Sequence, residues 1–432
     1  MAYTIYPGVF IRRGDNRYCS YEKKDYIIRL HSLFNSNLLN VNTSIKVIDS
    51  HRAFPYYNKT NDEIVIDTHF FDILKIATAV LLSDHSEYID ALADYCAADF
   101  FICKDDIDTA LKYAHRFATK KADIAHLINS TAAEANKHVN RQLLFVLFHE
   151  QGHGLLNYDK EDERFIPFRY YFNKEYSRLS EVQRIIHSVD LSSIKEDLDK
   201  IDKKVYEEDF NYSEADFANL SQHSAEFLKV VLKGISLLDV ENSDLISKEH
   251  AIYYACDCYV KGGEIKFNDP GQYEPECLAD GYTLQRLVSC QFGEESVLNQ
   301  LEDTVFAYFS CLLTMDMISC VNDCVMNIRS EGYTAEDLVW NRLRMEREML
   351  NSIIKQYAFR KPFGFIIAKK VFAYAERLIN QYHVMYARFC DRIFSVEHPD
   401  ENTPYYPCGS AEYEKYYAKI HALLTIDHVD PN

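Results

Sequence analysis

A single tryptophan, ten prolines and thirteen glycines in 432 residues leave little room for low-complexity linkers or collagen-like repeats. No glycine-rich run of the kind that cradles nucleotide phosphates occurs. Positive charge is also in short supply. Forty-seven Lys and Arg stand against 66 Asp and Glu, a formal net charge of −19. A duplex nucleic-acid binder needs a concentrated basic face, so no nucleic-acid partner is expected, although a local basic groove for an acidic peptide stays open. C-x-x-C pairs are missing too. Cys256-x-Cys258 with Cys277 is the nearest approach to a second metal site, and buried thiols are the reading for it. The opening Met-Ala-Tyr-Thr-Ile-Tyr-Pro has neither a charged n-region nor an apolar h-region. The expectation is therefore a cytoplasmic protein whose twelve cysteines are free.

What the chain does have is length and apolar periodicity. With 47% apolar residues it can bury a large core. Ile45 to Ile48 and Glu63 to Ile66 read as strands, joined by a long polar connection from His51 to Asp62. They form either an ordinary hairpin or an edge along a cleft. From Thr68 onward helices dominate, at about 68 to 82, 86 to 103, 105 to 127, and a long run ending at Leu156. Further apolar helices are expected near 295 to 328, 334 to 357, 366 to 394 and 410 to 424. The stretch from Thr304 to Ile328 is apolar enough to cross a membrane, but Asp303, Asp316, Asn322 and Asp323 mark a core helix; no membrane partner is expected. Between these halves, Tyr158 to Pro270 carries a capping box at Ser193-x-x-Glu196 and apolar residues at helical spacing. The division expected is 1–157, an inserted helical subdomain at 158–270, and 271–432. The fold class expected is α+β, mainly α.

The chemistry concentrates in Arg141-Gln-Leu-Leu-Phe-Val-Leu-Phe-His149-Glu150-Gln-Gly-His153, an H-E-x-x-H inside an apolar run. On a helix, His149 and His153 lie one turn apart and face one metal ion, while Glu150 projects beside it. A catalytic zinc site wants three protein ligands and an open position. No histidine follows closely; the next are His187, His223 and His250. Glu274-Pro275-Glu276-Cys-Leu-Ala-Asp280 supplies a better third ligand. Pro275 suits the first helical position, which puts Glu276 in the first turn and Asp280 one turn later on the same face. Glu276 can then bind the ion while Asp280 bonds the outer nitrogen of a ligand histidine.

H-E-x-x-H followed by E-x-x-x-D resembles the gluzincin metallopeptidases. The resemblance implies a zincin-like core with one zinc per chain, held by His149, His153 and Glu276. Glu150 would be the general base and Asp280 the partner of a ligand histidine. Glu-Cys-Leu-Ala-Asp280 is similar to the E-x-x-A-D of intracellular members. Ala53-Phe54-Pro55 followed by Glu63-Ile-Val-Ile-Asp67 resembles the hairpin before the active-site helix in Lit-type phage-exclusion peptidases. The chain departs from the pattern in two ways. His153 and Glu276 are much further apart than in most gluzincins. A His-Pro pair is absent after the second helix, where Asp337-Leu-Val-Trp-Asn-Arg342-Leu-Arg344 stands instead.

The function expected is hydrolysis of peptide bonds in an intracellular protein or peptide. Arg342 and Arg344 can hold a substrate carboxylate or an oxyanion, against a plain solvated stripe. His383 and Tyr386 share a helix face and can donate to an oxyanion, against a satisfied core pair. A competing class is a catalytically silent zincin-fold sensor that binds a partner, for example in phage defence or a stress response. A third is a helical scaffold with an accidental motif.

Overall fold

The computed structural model describes residues 2–6, 9–13, 29–30, 33, 44–49, 55–83, 85–103, 106–158, 162–174, 177, 274–290, 296–325, 335–394 and 410–426. Five strands come first: β1 (Ala2–Tyr6), β2 (Val9–Arg13), β3 (Ser44–Asp49), β4 (Tyr56–Asn58) and β5 (Glu63–Asp67). They form one mixed sheet in the order β1-β2-β3-β5-β4. β2, β3 and β5 run parallel, and β1 and β4 flank them antiparallel. The two strands expected from sequence are therefore parallel neighbours, with Ile45 opposite Ile64 and Val47 opposite Ile66. A parallel pair needs a crossover, which is why the connection between them is long. That connection contains β4, a three-residue edge strand doubling back on β5.

Burial explains the layering. Ile64, Val65, Ile66 and Asp67 of β5 are all buried, as expected for a strand covered on both faces. Asp67 ends β5, and its Oδ1 accepts from the His69 N–H at 3.1 Å, capping the helix that follows. That helix is α1 (Thr68–Ser83), followed by α2 (Ile89–Cys103), α3 (Ile107–Ala118) and α4 (Lys121–Tyr158). The sequence expectation of one helix from 105 to 127 is corrected: the chain breaks at Thr119. Its N–H and Oγ1 both bond the Arg116 carbonyl, closing a tight last turn before α4 begins.

The second half contributes α5 (Glu274–Ser289), α6 (Val297–Val325), α7 (Ala335–Ala358), α8 (Gly364–Phe394) and α9 (Ala411–Leu424). α6 is the hub, packed against α8, α4, α1, α7 and α2. Its most apolar window, long enough to cross a membrane, is 94% buried within the protein. A buried amide bridges three helices of this core: Gln142 of α4 donates to Thr78 Oγ1 of α1 at 2.9 Å and to Ser310 Oγ of α6 at 2.8 Å. Two forked ion pairs, Arg388 with Asp90 and Arg392 with Asp94, tie α8 to α2 one helical turn apart. Among the described residues Cys96, Cys277, Cys290, Cys311, Cys320 and Cys390 are buried free thiols.

By contacts the chain divides into two units. One comprises residues 1–168, 275–329 and 334–432; the other comprises 169–274 and 330–333. The second takes in most of the stretch expected as an inserted helical subdomain. That expectation, with His187, His223, His250, Cys256 and Cys258, lies outside the described residues. Among the described residues the protein is α+β and mainly helical, with one small sheet.

Candidate metal centre

α4 enters the core as an apolar helix, with Leu143, Leu144, Phe145, Val146, Leu147 and Phe148 all buried. Because it is buried all round, its polar residues must find partners or carry a function. His149, Glu150 and Gln151 follow at 1%, 2% and 5% exposure. Phe145, one turn before His149, stacks parallel on its ring with centroids 5.7 Å apart. α5 crosses beside it at very short range. A Cβ placed on Gly152 would stand 3.1 Å from the Ala279 Cα. Tyr282 Oη donates to Gln151 Oε1 at 3.3 Å, a second tie between the two helices.

This crossing brings the expected ligand atoms together. His149 Nε2 lies 3.1 Å from His153 Nε2. Glu276 Oε2 lies 3.4 Å from the first and Glu276 Oε1 3.4 Å from the second. Tetrahedral zinc with bonds of about 2.0–2.1 Å sets neighbouring donor atoms about 3.3–3.4 Å apart. The histidine pair stands close to one such edge, each Glu276 oxygen reaches one imidazole, and one ligand atom from each of the three residues lies within 4.8 Å of the others. Two imidazole nitrogens facing each other this closely repel unless a proton or a cation sits between them. His149 Nδ1, on the outer side of the ring, is 3.0 Å from Asp280 Oδ1, and Asp280 is fully buried. A carboxylate there fixes the tautomer that leaves Nε2 free as a ligand. Two imidazole nitrogens, one of them on a carboxylate-backed ring, and one carboxylate are the donor set of a borderline-soft divalent ion such as zinc.

The electrostatics of these side chains agree with this reading. Burial opposes charge on His149, but the hydrogen bonds and charges of Asp280 and Glu276 prevail and raise its pKa to about 10. Burial also works against the Glu276 carboxylate, yet the charge of His153 and bonds from both histidines hold it well below the usual range. Glu150 differs: burial is its largest influence and pushes it up, only partly offset by the charges of His149 and His153. A carboxyl raised in this way is better suited to accept and return a proton.

Glu150 is also positioned by a residue that sequence reasoning missed. The backbone of Tyr57 in β4 hydrogen-bonds its carboxylate. The Tyr57 ring lies against α4 where a Cβ at Gly154 would come within 2.8 Å of it, and its hydroxyl donates to Asp62 Oδ1 at 2.7 Å. Asp62 sits at φ 52°, in the tight turn between β4 and β5. The available signal was Gly154, since a glycine one residue after the motif marks a close approach.

The other expected site residues divide. Tyr386 is buried beside Cys390, Cys320, Asp316 and Tyr382, and Tyr382 donates to Asp316. His383 meets Tyr382 edge-on at 6.2 Å. These contacts belong to the α6–α8 core. Arg342 and Arg344 fall on α7, and their side chains lie outside the described residues. Arg347, on the same helix, pairs through Nε with Glu376 Oε1 of α8 at 2.6 Å. Among the described residues, His149, His153 and Glu276 make the one cluster able to hold a metal ion. No family model, curated protein or solved structure matches the chain.

Proposed function

We propose that the protein is a zinc-dependent peptidase of the gluzincin kind, with a zincin-like core, acting on an intracellular protein or peptide. The observation that carries the reading is the convergence of His149 Nε2 and His153 Nε2, 3.1 Å apart, with the Glu276 carboxylate, whose two oxygens each lie 3.4 Å from one of the rings. Asp280 behind His149 supports it, because a carboxylate on the outer nitrogen holds the other nitrogen, Nε2, toward His153 and Glu276. Bound zinc supplies Lewis acidity at this place, lowering the pKa of water and polarising a carbonyl.

The chain's own groups would do the rest. His149 is sealed at 1% exposure, while His153 and Glu276 side chains remain 20% and 38% exposed, so a substrate approaches from their side. Glu150, held by the Tyr57 backbone, takes a proton from the attacking water and delivers it to the departing amine. β4 lies beside the helix as an edge strand, a position where an extended peptide can add to a sheet.

Glu150→Gln tests this. The variant keeps the size and hydrogen bonding of the side chain and removes its basicity. It should fold, bind zinc as wild type does, and lose about 10²–10⁴-fold in rate. Proteomes of cells expressing each form, compared by mass spectrometry for new protein termini, provide the readout. Termini produced by wild type and absent with Glu150→Gln are expected. Zinc binding with no difference in termini would make the protein a partner-binding sensor instead.

A further inference from the structure

Between Glu348 and Glu376 a strongly acidic chain reverses its character. It carries Lys355, Arg360, Lys361, Lys369 and Lys370 and no acidic residue. The same stretch forms the connection between α7 and α8, a helical hairpin whose tip spans Phe359 to Phe363. The tip exposes what a folded protein ordinarily hides: Phe359 at 58%, Phe363 at 80%, Phe365 at 72% and Ile366 at 55%. Single exposed apolar side chains need no explanation, but four within eight residues do.

The backbone holds them outward. Phe359, Arg360, Lys361 and Gly364 N–H groups each bond a carbonyl three or four residues back, so the turn is closed by its own main chain. Gly364 packs so tightly that a Cβ there would stand 2.1 Å from the Ala358 carbonyl oxygen. Phe363 adopts φ 58°, a left-handed conformation that a bulky side chain resists and that glycine takes freely. The fold gains nothing visible from phenylalanine at this position, since the ring is the most exposed of the large apolar side chains described. Strain kept at an exposed aromatic points to use outside the fold. The surrounding cations are available as well. Among the described residues none of the five makes an ion pair; Lys361 and Lys355 lie over the Tyr357 and Phe372 rings.

We propose that this hairpin tip docks the protein on an anionic phospholipid surface, with Phe359, Phe363, Phe365 and Ile366 entering the headgroup–acyl boundary and the five basic residues facing the lipid phosphates. Aromatic and aliphatic side chains ringed by Lys and Arg, on a rigid projecting turn, combine the two contributions that peripheral binding requires. The proposal departs from the expectation of no membrane partner, because the net charge of −19 conceals a locally basic tip. It is independent of the metal centre.

The test uses the full chain with phosphatidylcholine vesicles, with and without phosphatidylserine, in a flotation assay at low and raised salt. Wild type should float with the anionic vesicles, stay behind with the neutral ones, and be released by salt. Lys369→Glu with Lys370→Glu should weaken binding by at least roughly ten-fold, since each basic residue near such a surface contributes about five-fold. Phe363→Gly separates fold from docking: it relieves the left-handed strain, so thermal stability is kept or raised while partitioning falls. Equal flotation with both vesicle types, or undiminished binding by Phe363→Gly combined with Phe365→Ser, overturns the proposal. So does wild type that ignores vesicles and self-associates through the tip in sedimentation, which would make the patch a protein contact.

Discussion

Gly152 of α4 faces Ala279 of α5 so closely that a Cβ at Gly152 would stand 3.1 Å from the Ala279 Cα, tight enough that any larger side chain there must push the helices apart. This contact determines how closely the helix carrying His149 and His153 can approach the helix carrying Glu276 and Asp280. Gly152→Val should therefore act on the metal centre without touching a ligand. Overpacking of this kind costs about 1–3 kcal/mol, and the helices relieve it by moving apart. Chelator competition should show zinc affinity falling, together with a lower urea midpoint for the metal-free protein. Unchanged zinc affinity would mean that the crossing does not control ligand spacing.

Asp280 gives a sharper case, since it lies behind His149 and contributes no ligand atom. Asp280→Asn keeps the shape and removes the charge that orients the imidazole. Outer-sphere partners of this type are worth about 10–100-fold in metal affinity, and that loss is expected in a competition titration against a zinc indicator. Wild-type affinity in the variant would leave His149 oriented by packing on Phe145 alone.

His138, on the same helix nearer its start, predicts a pH effect unrelated to metal. Burial is the main cause that lowers its pKa to about 4, helped by Arg141 and Lys137 and opposed by Glu134. The unfolded chain binds that proton below about pH 6.5, whereas the folded one resists it until about pH 4. Stability is therefore full above pH 6.5 and falls as pH drops through the window to 4, by up to about 3 kcal/mol. Denaturant melts of wild type and His138→Gln across this range should converge toward acid. Parallel curves would show that His138 titrates normally in the fold.

Gln142 should be among the more sensitive core positions outside the site. Its amide satisfies hydroxyls on α1 and α6 at once. Gln142→Leu keeps much of the volume and strands the Thr78 and Ser310 hydroxyls, at about 1–3 kcal/mol for buried polar groups left without this partner. The expected result is a lower denaturation midpoint with an unchanged m-value.

The candidate cluster was readable because α-helical periodicity converts short spacings into geometry. His149 and His153 needed only one helical turn, and Glu276 and Asp280 another. That the two turns meet was inferred from donor chemistry, and the structure brings them together through Gly152 and Ala279, a contact with no local pattern to announce it. The long helices were legible to within a few residues for the same periodic reason. β4 was not, since three residues cannot display strand alternation, and the sequence left its neighbours as either a hairpin or a cleft edge because a parallel pairing leaves no local signature. The break at Thr119 was missed because apolar periodicity continues on both sides of it. The exposed hairpin tip read as ordinary helix ends, since composition does not reveal which side of a turn faces out.

The zinc content of the purified protein tests the central claim most directly. Protein prepared without chelators or an affinity metal should carry close to one zinc per chain by elemental analysis, as three converging ligands require. His153→Ala and Glu276→Ala should each lose most of it while retaining the helical circular-dichroism signal of wild type. Wild type free of transition metal, and unable to take up zinc on titration, would contradict the account, as would undiminished zinc in both variants.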